Sequence, residues 1–353
     1  MAVYRIFPEK DTYISSKPTV AGLYGNAGLD EIIELAGYPD PSDNAIGRTS
    51  RGLLQFNTSD ITYAVDNITS GSISASIHLS LANATELPSS YTVYAYPISQ
   101  SWTNGTGRGN DSPVNRTGTN WKYRGAAVNE WTSLGGDFIS NDASGSKTNN
   151  LSSNHDLNID VTNIVTSHYS SSIPNYGILL KLEDNYENYL SQSITLRYFS
   201  SDTNTIFPPY LEFKWDDSSY STGSLSVLST DIATVSIKNA KESYTDKDTV
   251  RFRISARPKY PTRTFTTGSI YLTEYALPQS SYYAIKDEYS GEMIIDFDTT
   301  YTKISADSTS SYFDLIMDTF QPGRHYRLLI KTVVNGNTIV IDNKNIFKVV
   351  RHG

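Results

Sequence analysis

Ile73-Ser74-Ala75-Ser76-Ile77-His78-Leu79-Ser80-Leu81 is the stretch that decides the fold class. Apolar and polar residues alternate strictly, and a period of two is the signature of a strand with one face buried. Working outward, the same kind of reading holds for Arg51-Gly52-Leu53-Leu54-Gln55-Phe56-Asn57, for Tyr91 to Tyr96 before Pro97, and for Tyr176 to Leu182. It holds again for Ser193 to Phe199 and for Tyr210 to Trp215. Beyond residue 230, Val250, Phe252, Ile254 and Ala256 alternate with Arg251, Arg253 and Ser255. Ile270 and Leu272, Met293 to Phe297, Tyr312 to Met317 and Tyr326 to Val334 continue the pattern. Asn335-Gly336, set between Val333-Val334 and Thr338-Ile339-Val340-Ile341, predicts a tight hairpin, because both central residues accept positive φ.

Composition agrees. Of 353 residues 26 are Tyr, against 12 Phe and 4 Trp, and Ser, Thr and Asn fill much of the rest. Tyr and Thr favour strands, while Ser, Asn and Gly favour turns. The fold class expected is all-β: a sandwich over 1–215, a polar linker over 216–229, and a second, immunoglobulin-sized sandwich over 230–353. One helix interrupts the pattern. Val161, Ile164, Val165 and His168 share a helical face over about 160–169, with Asp160 placed to accept an orphan N–H.

Several function classes fall away. There is no apolar run of about 18 residues, so no membrane span is expected. A formal net charge of −8 argues against a general nucleic-acid-binding surface. The absence of cysteine excludes disulfides and thiolate chemistry. The first ten residues lack the continuous apolar core of a signal peptide, so synthesis in a cytoplasm is expected. The Asn-x-Ser/Thr sequences at Asn57, Asn67, Asn83, Asn104, Asn110, Asn115 and Asn150 are then read as chance in an Asn-rich chain. Charge divides unevenly: 13 Lys and Arg against 21 Asp and Glu up to Trp215, and 16 against 16 from Asp216 onward.

Catalytic motifs are thin. His78, His155, His168, His325 and His352 show no zinc-binding spacing, and there is no nucleophile elbow or phosphate loop. His78 falls on the polar side of its strand and reads as solvated. No catalytic residue, metal or cofactor is assigned. Asp137, Asp142, Asp156 and Asp160 gather near one long segment; they fit a calcium site or an acidic solvated loop.

That segment, 98–156, is polar, without clear periodicity, and carries three of the four tryptophans. Trp102, Trp121 and Trp131, with Tyr123, have three open readings: a sugar-stacking platform, a contact between subunits, or filling of the sandwich end. The segment as a whole is expected outside the sandwich core, ordered by another subunit or a glycan. Arg251, Arg253 and Arg257, continued by Lys259 and Arg263, form a basic strand face. It reads as a solvated surface or as a face that docks an acidic neighbour. Val3, Ile6 and Phe7 at one end, and Phe347, Val349 and Val350 at the other, are expected to be buried in strands.

The N-terminal half also carries a resemblance. Lys10-Asp11-Thr12-Tyr13-Ile14-Ser15, Gly25-Asn26-Ala27-Gly28-Leu29-Asp30-Glu31 and Arg51-Gly52-Leu53-Leu54-Gln55-Phe56 follow one another. Tyr94 to Trp102, Ile159-Asp160-Val161-Thr162, Asn175 to Leu180 and Pro208-Pro209-Tyr210-Leu211-Glu212-Phe213 complete the order. This order resembles the DNRLRE-type, carbohydrate-binding-module-like jelly roll. The C-terminal half, through Tyr282 to Asp287, Ser305 to Ser308, Tyr312 to Leu315, Leu328 to Lys331 and Phe347 to Arg351, is similar to Ig-like domains of tailed-bacteriophage virion proteins. Together they imply a non-enzymatic structural component of a virion, in the tail, neck or head surface. It would be assembled in the host cytoplasm as a homo-oligomer among other virion proteins. The alternative implied is a module on the virion surface that binds a cell-surface glycan. No dedicated set of ligand-binding residues aligns.

Overall fold

A computed structural model describes residues 2–18, 23–40, 43–126, 128–141, 143–187, 193–216, 219–262 and 273–352. The strand expected around Ile270 and Leu272 lies outside the described residues, as do Arg263 and Asp142. The chain is all-β, with several sheets and three short α-helices among the described residues. Among the described residues no helix is long and apolar enough to cross a membrane. Two compact units are present. The N-terminal unit comprises Ile6–Ile68 and Ser74–Phe213; the C-terminal unit comprises Met1–Arg5, Thr69–Ile73 and Lys214–Gly353.

The strands in the first part of the chain are β1 (Val3–Ile6), β2 (Lys10–Ser15), β3 (Ile32–Asp40), β4 (Asp43–Gln55), β5 (Ile73–Leu79), β6 (Leu81–Thr85), β7 (Ser90–Pro97), β8 (Gly145–Asn150), β9 (Leu157–Asp160), β10 (Ile178–Leu182), β11 (Ile194–Phe199) and β12 (Tyr210–Trp215). The large sheet of the N-terminal unit runs β6-β11-β3-β4-β10-β7-β8, with β2 pairing β4 as well. A second sheet places β5 between β12 and β9.

The alternating stretch at 73–81 is therefore split. It runs as β5 to Leu79, turns at Ser80, and continues as β6 in the large sheet. The Leu81 N–H donates to Asp156 Oδ1 at 2.6 Å, and Ser80 C=O accepts from Phe199 N–H at 3.1 Å. Ala75, Ile77 and Leu79 are buried, as the period of two requires. Strand β10 lies mid-sheet with all five residues buried. Successive side chains point to opposite faces, so both faces of the sheet are covered there.

Helix α1 (Thr58–Tyr63) is capped by Asn57, whose Oδ1 accepts the Ser59 N–H at 2.9 Å. Helix α2 (Thr162–Tyr169) is the expected one. Asp160 Oδ1 accepts the Thr162 N–H at 2.9 Å, and Ile164, Val165 and His168 form the buried face. A single turn, α3 (Asp184–Glu187), follows β10.

The C-terminal unit contains β13 (Ala233–Ile237), β14 (Ser243–Thr245), β15 (Thr249–Pro258), β16 (Ser281–Asp287), β17 (Met293–Ile295), β18 (Ser305–Ala306), β19 (Ser311–Ile316), β20 (His325–Val334) and β21 (Asn337–Val350). They form two sheets, β13-β15-β19-β18 and β14-β21-β20-β16-β17. One core takes side chains from both: Phe252, Ile254, Phe313 and Leu315 from the first, and Tyr244, Tyr283, Ile285, Leu328, Ile330, Phe347 and Val349 from the second. Phe313 stacks between Tyr283 and Phe252, at ring-centroid distances of 4.4 and 5.4 Å. The β20–β21 hairpin turns at Asn335 and Gly336, with φ of 51° and 81°.

Val3 contributes to this same core, and the Trp215 N–H donates to the Ala2 carbonyl at 3.1 Å. Of the terminal residues expected inside, Val3, Ile6, Phe347 and Val349 are buried; Phe7 and Val350 are half-buried. Residues read as a linker are hydrogen-bonded into the C-terminal unit where they are described. Leu228 is buried in its core and donates its N–H to Ala276 C=O at 2.8 Å, and Tyr220 Oη donates to Leu277 C=O at 2.8 Å.

Candidate functional site

The tryptophans of the long segment form no exposed platform. Trp102, Trp121 and Trp131 are buried in their own chain, in a cluster with Ile14 of β2, Leu53 of β4, Ile98 and Leu179 of β10. The expectation that 98–156 stays outside the core is corrected: its rings cover one face of the large sheet, which accounts for the two-sided burial of β10. The polar edges of the rings are spent locally. Trp102 Nε1 donates to Tyr176 C=O at 2.8 Å, and Trp131 Nε1 to Asn120 C=O at 3.0 Å. Lys10 sits over the Trp102 ring at 4.3 Å, and the Arg51 guanidinium lies 5.2 Å from the Trp121 ring. Tyr123 remains half-buried between Lys122 and Arg116.

Asparagine side chains replace the missing ladder. Asn26, fully buried, donates through Nδ2 to Asn104 C=O at 2.7 Å and Thr119 C=O at 2.9 Å. Its Oδ1 accepts from Gly107 N–H at 2.8 Å and Gly28 N–H at 3.3 Å. All four capacities of one side chain are used to staple irregular backbone. Beneath the cluster, Glu187 is buried and paired twice, with Arg51 Nη2 at 2.7 Å and Lys181 Nζ at 3.1 Å.

The basic strand face is likewise engaged within the chain. Arg251 grips Asp314 with two bonds of 2.8 Å and lies 4.0 Å from the Tyr312 ring. Arg253 pairs with Asp307 at 2.9 Å. The guanidinium hydrogen bond outweighs the cost of desolvation and, with the Thr309 and Ser310 N–H groups, holds the Asp307 carboxyl far below its ordinary range. Arg257 is half-buried on the same strand and also has an interaction partner. The face therefore needs no acidic neighbour to neutralise Arg251 and Arg253.

The acidic residues near the long segment serve backbone groups. Asp137 accepts from the N–H groups of Thr132 and Ser133 at 2.6 and 2.7 Å, Asp156 from Leu81, and Asp160 from Thr162. No cluster able to hold a metal ion occurs among the described residues. His78, expected in solvent, is half-buried. It stacks on Tyr210 at 4.6 Å, with Nε2 3.5 Å from the buried Glu212.

What pattern reading missed is a polar cleft of about 650 Å³ in the N-terminal unit. Tyr13 and Ser15 of β2, Glu34 and Tyr38 of β3, and Thr195 and Arg197 of β11 form much of its lining. Lys17 and Asn110 stand at the rim. Arg197 Nε donates to Glu34 Oε2 at 3.0 Å, and Ser50 Oγ donates to Glu34 Oε1 at 3.1 Å. Register explains the pairing: Arg197 lies directly opposite Glu34 across β11 and β3. Gly109 closes the wall, where a Cβ would stand 2.2 Å from the Tyr13 hydroxyl, so no larger residue fits beside that ring as placed. Burial, reinforced by Asp30, raises the Tyr13 phenol well above its ordinary range and keeps it protonated. The signal available in the sequence was alternation: Tyr13 and Ser15, and Thr195 and Arg197, are outward members of their strands. Nothing local says that β2, β3 and β11 meet.

No protein-family model matches the chain, and no curated protein matches it. Three solved structures show faint likenesses. A DUF4785 family protein from Legionella pneumophila is 9% identical, with 98% of this chain and 66% of that one covered, at a TM-score of 0.21. β-Glucuronidase 3 of Bacteroides uniformis is 10% identical, with 85% and 26% covered, at 0.20. A β-galactosidase-like protein of Bacteroides fragilis is 9% identical, with 97% and 41% covered, at 0.19. The chain spans less than two thirds of the length of each, and at these TM-scores the likenesses carry no argument about function.

Proposed function

We propose that the protein is a non-enzymatic structural component of a bacteriophage virion. In this reading an N-terminal jelly roll and a C-terminal Ig-like sandwich act through contacts between subunits. The ordered motifs named above suggest the class. The observation that carries it is the way the 98–144 segment is locked onto its own sheet by three buried tryptophans and the Asn26 staple. Such a segment presents a fixed outer surface before any partner arrives, and a preorganised surface pays less entropy on assembly. Two β units held without cysteine also suit a part built in a reducing cytoplasm and used outside it. The test is density-gradient fractionation of particles from a lysate that produces the protein, followed by immunogold labelling. Co-sedimentation with particles and label at one discrete position are expected. Recovery only in the soluble fraction overturns the reading.

A second reading, a glycan-binding module on the virion surface, is favoured by one observation, the polar cleft between β2, β3 and β11. Its volume falls within the range of ligand sites, and its lining supplies aromatic and hydrogen-bonding groups together.

A further inference from the structure

We infer that the cleft formed by β2, β3 and β11 is a binding site for a neutral saccharide, with Tyr13 and Tyr38 packing against sugar C–H faces and the Glu34–Arg197 pair, Ser15 and Thr195 bonding its hydroxyls. The inference rests on the second reading and narrows it to one site and one ligand class.

The chemistry of the lining selects the class. The cleft is too polar for an apolar ligand: a carboxylate, a guanidinium and hydroxyls converge on it, and such groups buried without partners cost free energy. Charge selects further. Glu34 and Arg197 already neutralise each other at 3.0 Å, and Lys17 is an exposed cation at the rim, where water and salt screen it. A carboxylated sugar would compete with Glu34 for the guanidinium and would bring its own charge beside that carboxylate. A sugar hydroxyl competes with neither. It donates to a carboxylate oxygen and accepts from a guanidinium N–H at once, so the paired charges become a fixed donor and acceptor array. Arg197 has further N–H groups beyond the Nε that Glu34 holds.

Preorganisation supports the same conclusion. Ser50 fixes the second oxygen of Glu34, Gly109 leaves room for the Tyr13 hydroxyl, and the protonated phenol keeps its neutral form. Rings with a hydrophobic face and a polar edge suit a ligand that is apolar on its C–H face and polar at its rim. The six residues assigned to the ligand stand on three strands, and groups on a scaffold are held more precisely than groups on loops.

The experiment applies the full chain to an array of neutral oligosaccharides (gluco-, galacto- and manno-configured) and acidic ones (uronate- and sialic-acid-containing). Calorimetric titration with the best binder follows. Neutral oligosaccharides are expected to bind. Asn110→Trp, an exposed rim position that a large ring would roof over, is expected to weaken binding at least tenfold without moving the unfolding temperature. Tyr38→Ala, which removes a ring from the lining, is expected to weaken binding to the same degree. Binding of acidic oligosaccharides alone, or neutral binding unchanged in both variants, overturns this inference and leaves the glycan-binding reading standing. Binding of no array member overturns both, and the particle fractionation is unaffected by either result.

Discussion

The two units of the chain bury different things. The interior of the N-terminal unit is rich in polar and ionisable groups: Asp11, Asn26, Asn120, Asn149, His168, Lys181, Glu187 and Glu212 are all buried. The C-terminal unit has an aromatic core of Tyr244, Phe252, Tyr283, Phe313, Phe320, Tyr326 and Phe347, and most of its ion pairs are partly exposed. Asp287 is its exception. That carboxylate is fully buried, bonded by Arg324 and by the N–H groups of Tyr289 and Ser290, and lowered in pKa although its burial pulls the other way. The difference teaches how irregular backbone becomes ordered. A regular sandwich satisfies its backbone by its ladders, so its core can be apolar. A long segment with few ladders has to meet its N–H and C=O groups with buried side chains.

The largest expected effects break this comparison from both sides. Trp131→Ala in the N-terminal unit and Phe313→Ala in the C-terminal unit should each cost about 3–5 kcal/mol, the usual loss for a buried aromatic ring. The mechanisms differ. Trp131→Ala also leaves the Asn120 carbonyl without its donor at 3.0 Å, so a polar surrogate should recover part of the loss there. Urea unfolding of both variants, with Trp131→His as the surrogate, measures this. Full recovery by Trp131→Phe would show that the hydrogen bond contributes nothing.

The next effect is pH dependence, expected of the N-terminal unit through two buried groups with opposite signs. Burial raises Asp11 to about 6 from 3.8, although two hydrogen bonds from Ser201 pull it down. Its contribution is therefore present below 3.8 and lost as pH rises through 6. Burial lowers His168 to about 4 from 6.5, and its Nε2 finds no hydrogen-bond partner among the described residues. Its contribution is present above 6.5 and lost as pH falls through 4. Each amounts to about 3 kcal/mol across its window. Between pH 4 and 6.5 the two nearly cancel, so the parent chain should be flat. His168→Leu should gain stability as pH falls, and Asp11→Asn should lose it. Tryptophan fluorescence reads mainly this unit, which holds three of the four rings. Parallel slopes in the two variants would refute the assignment.

The smallest effect expected is at the surface of the C-terminal unit. Arg251→Ala removes a bidentate pair with Asp314 at 2.8 Å, but the side chains are 45% and 30% exposed. A loss below about 1 kcal/mol is expected, shrinking further in high salt. A loss as large as that of Phe313→Ala would mean that the unit relies on charge as much as on its core.

Much of the fold was legible because its signals are local. Alternation at Val250 to Ala256 reappears as β15, Asn335-Gly336 turns the β20–β21 hairpin, and the helical spacing after Asp160 gives α2. Where alternation ran past a sheet corner, at Ser80, it could not show the change of sheet, because a strand has the same period in either sheet. Alternation puts Arg251 and Arg253 opposite Phe252 and Ile254, but their partners Asp314 and Asp307 lie some 55 to 65 residues away.

The sequence by itself determined that this is an all-β chain without cysteine chemistry or a long apolar helix, since composition and period are properties of neighbouring residues. Only the tertiary structure decided where the tryptophans go and where the cleft lies. Trp102, Trp121 and Trp131 had platform, interface and core open to them, and an aromatic ring carries no mark that separates these. The outcome depends on Leu53 and Leu179 being bare on one face of a sheet assembled from strands about 125 residues apart. The cleft depends on Tyr13, Glu34 and Arg197 converging from three strands, through a pairing of β11 with β3 that spans about 160 residues. Such proximity is set by the global free-energy minimum of the packed sheets, and no window of sequence contains it.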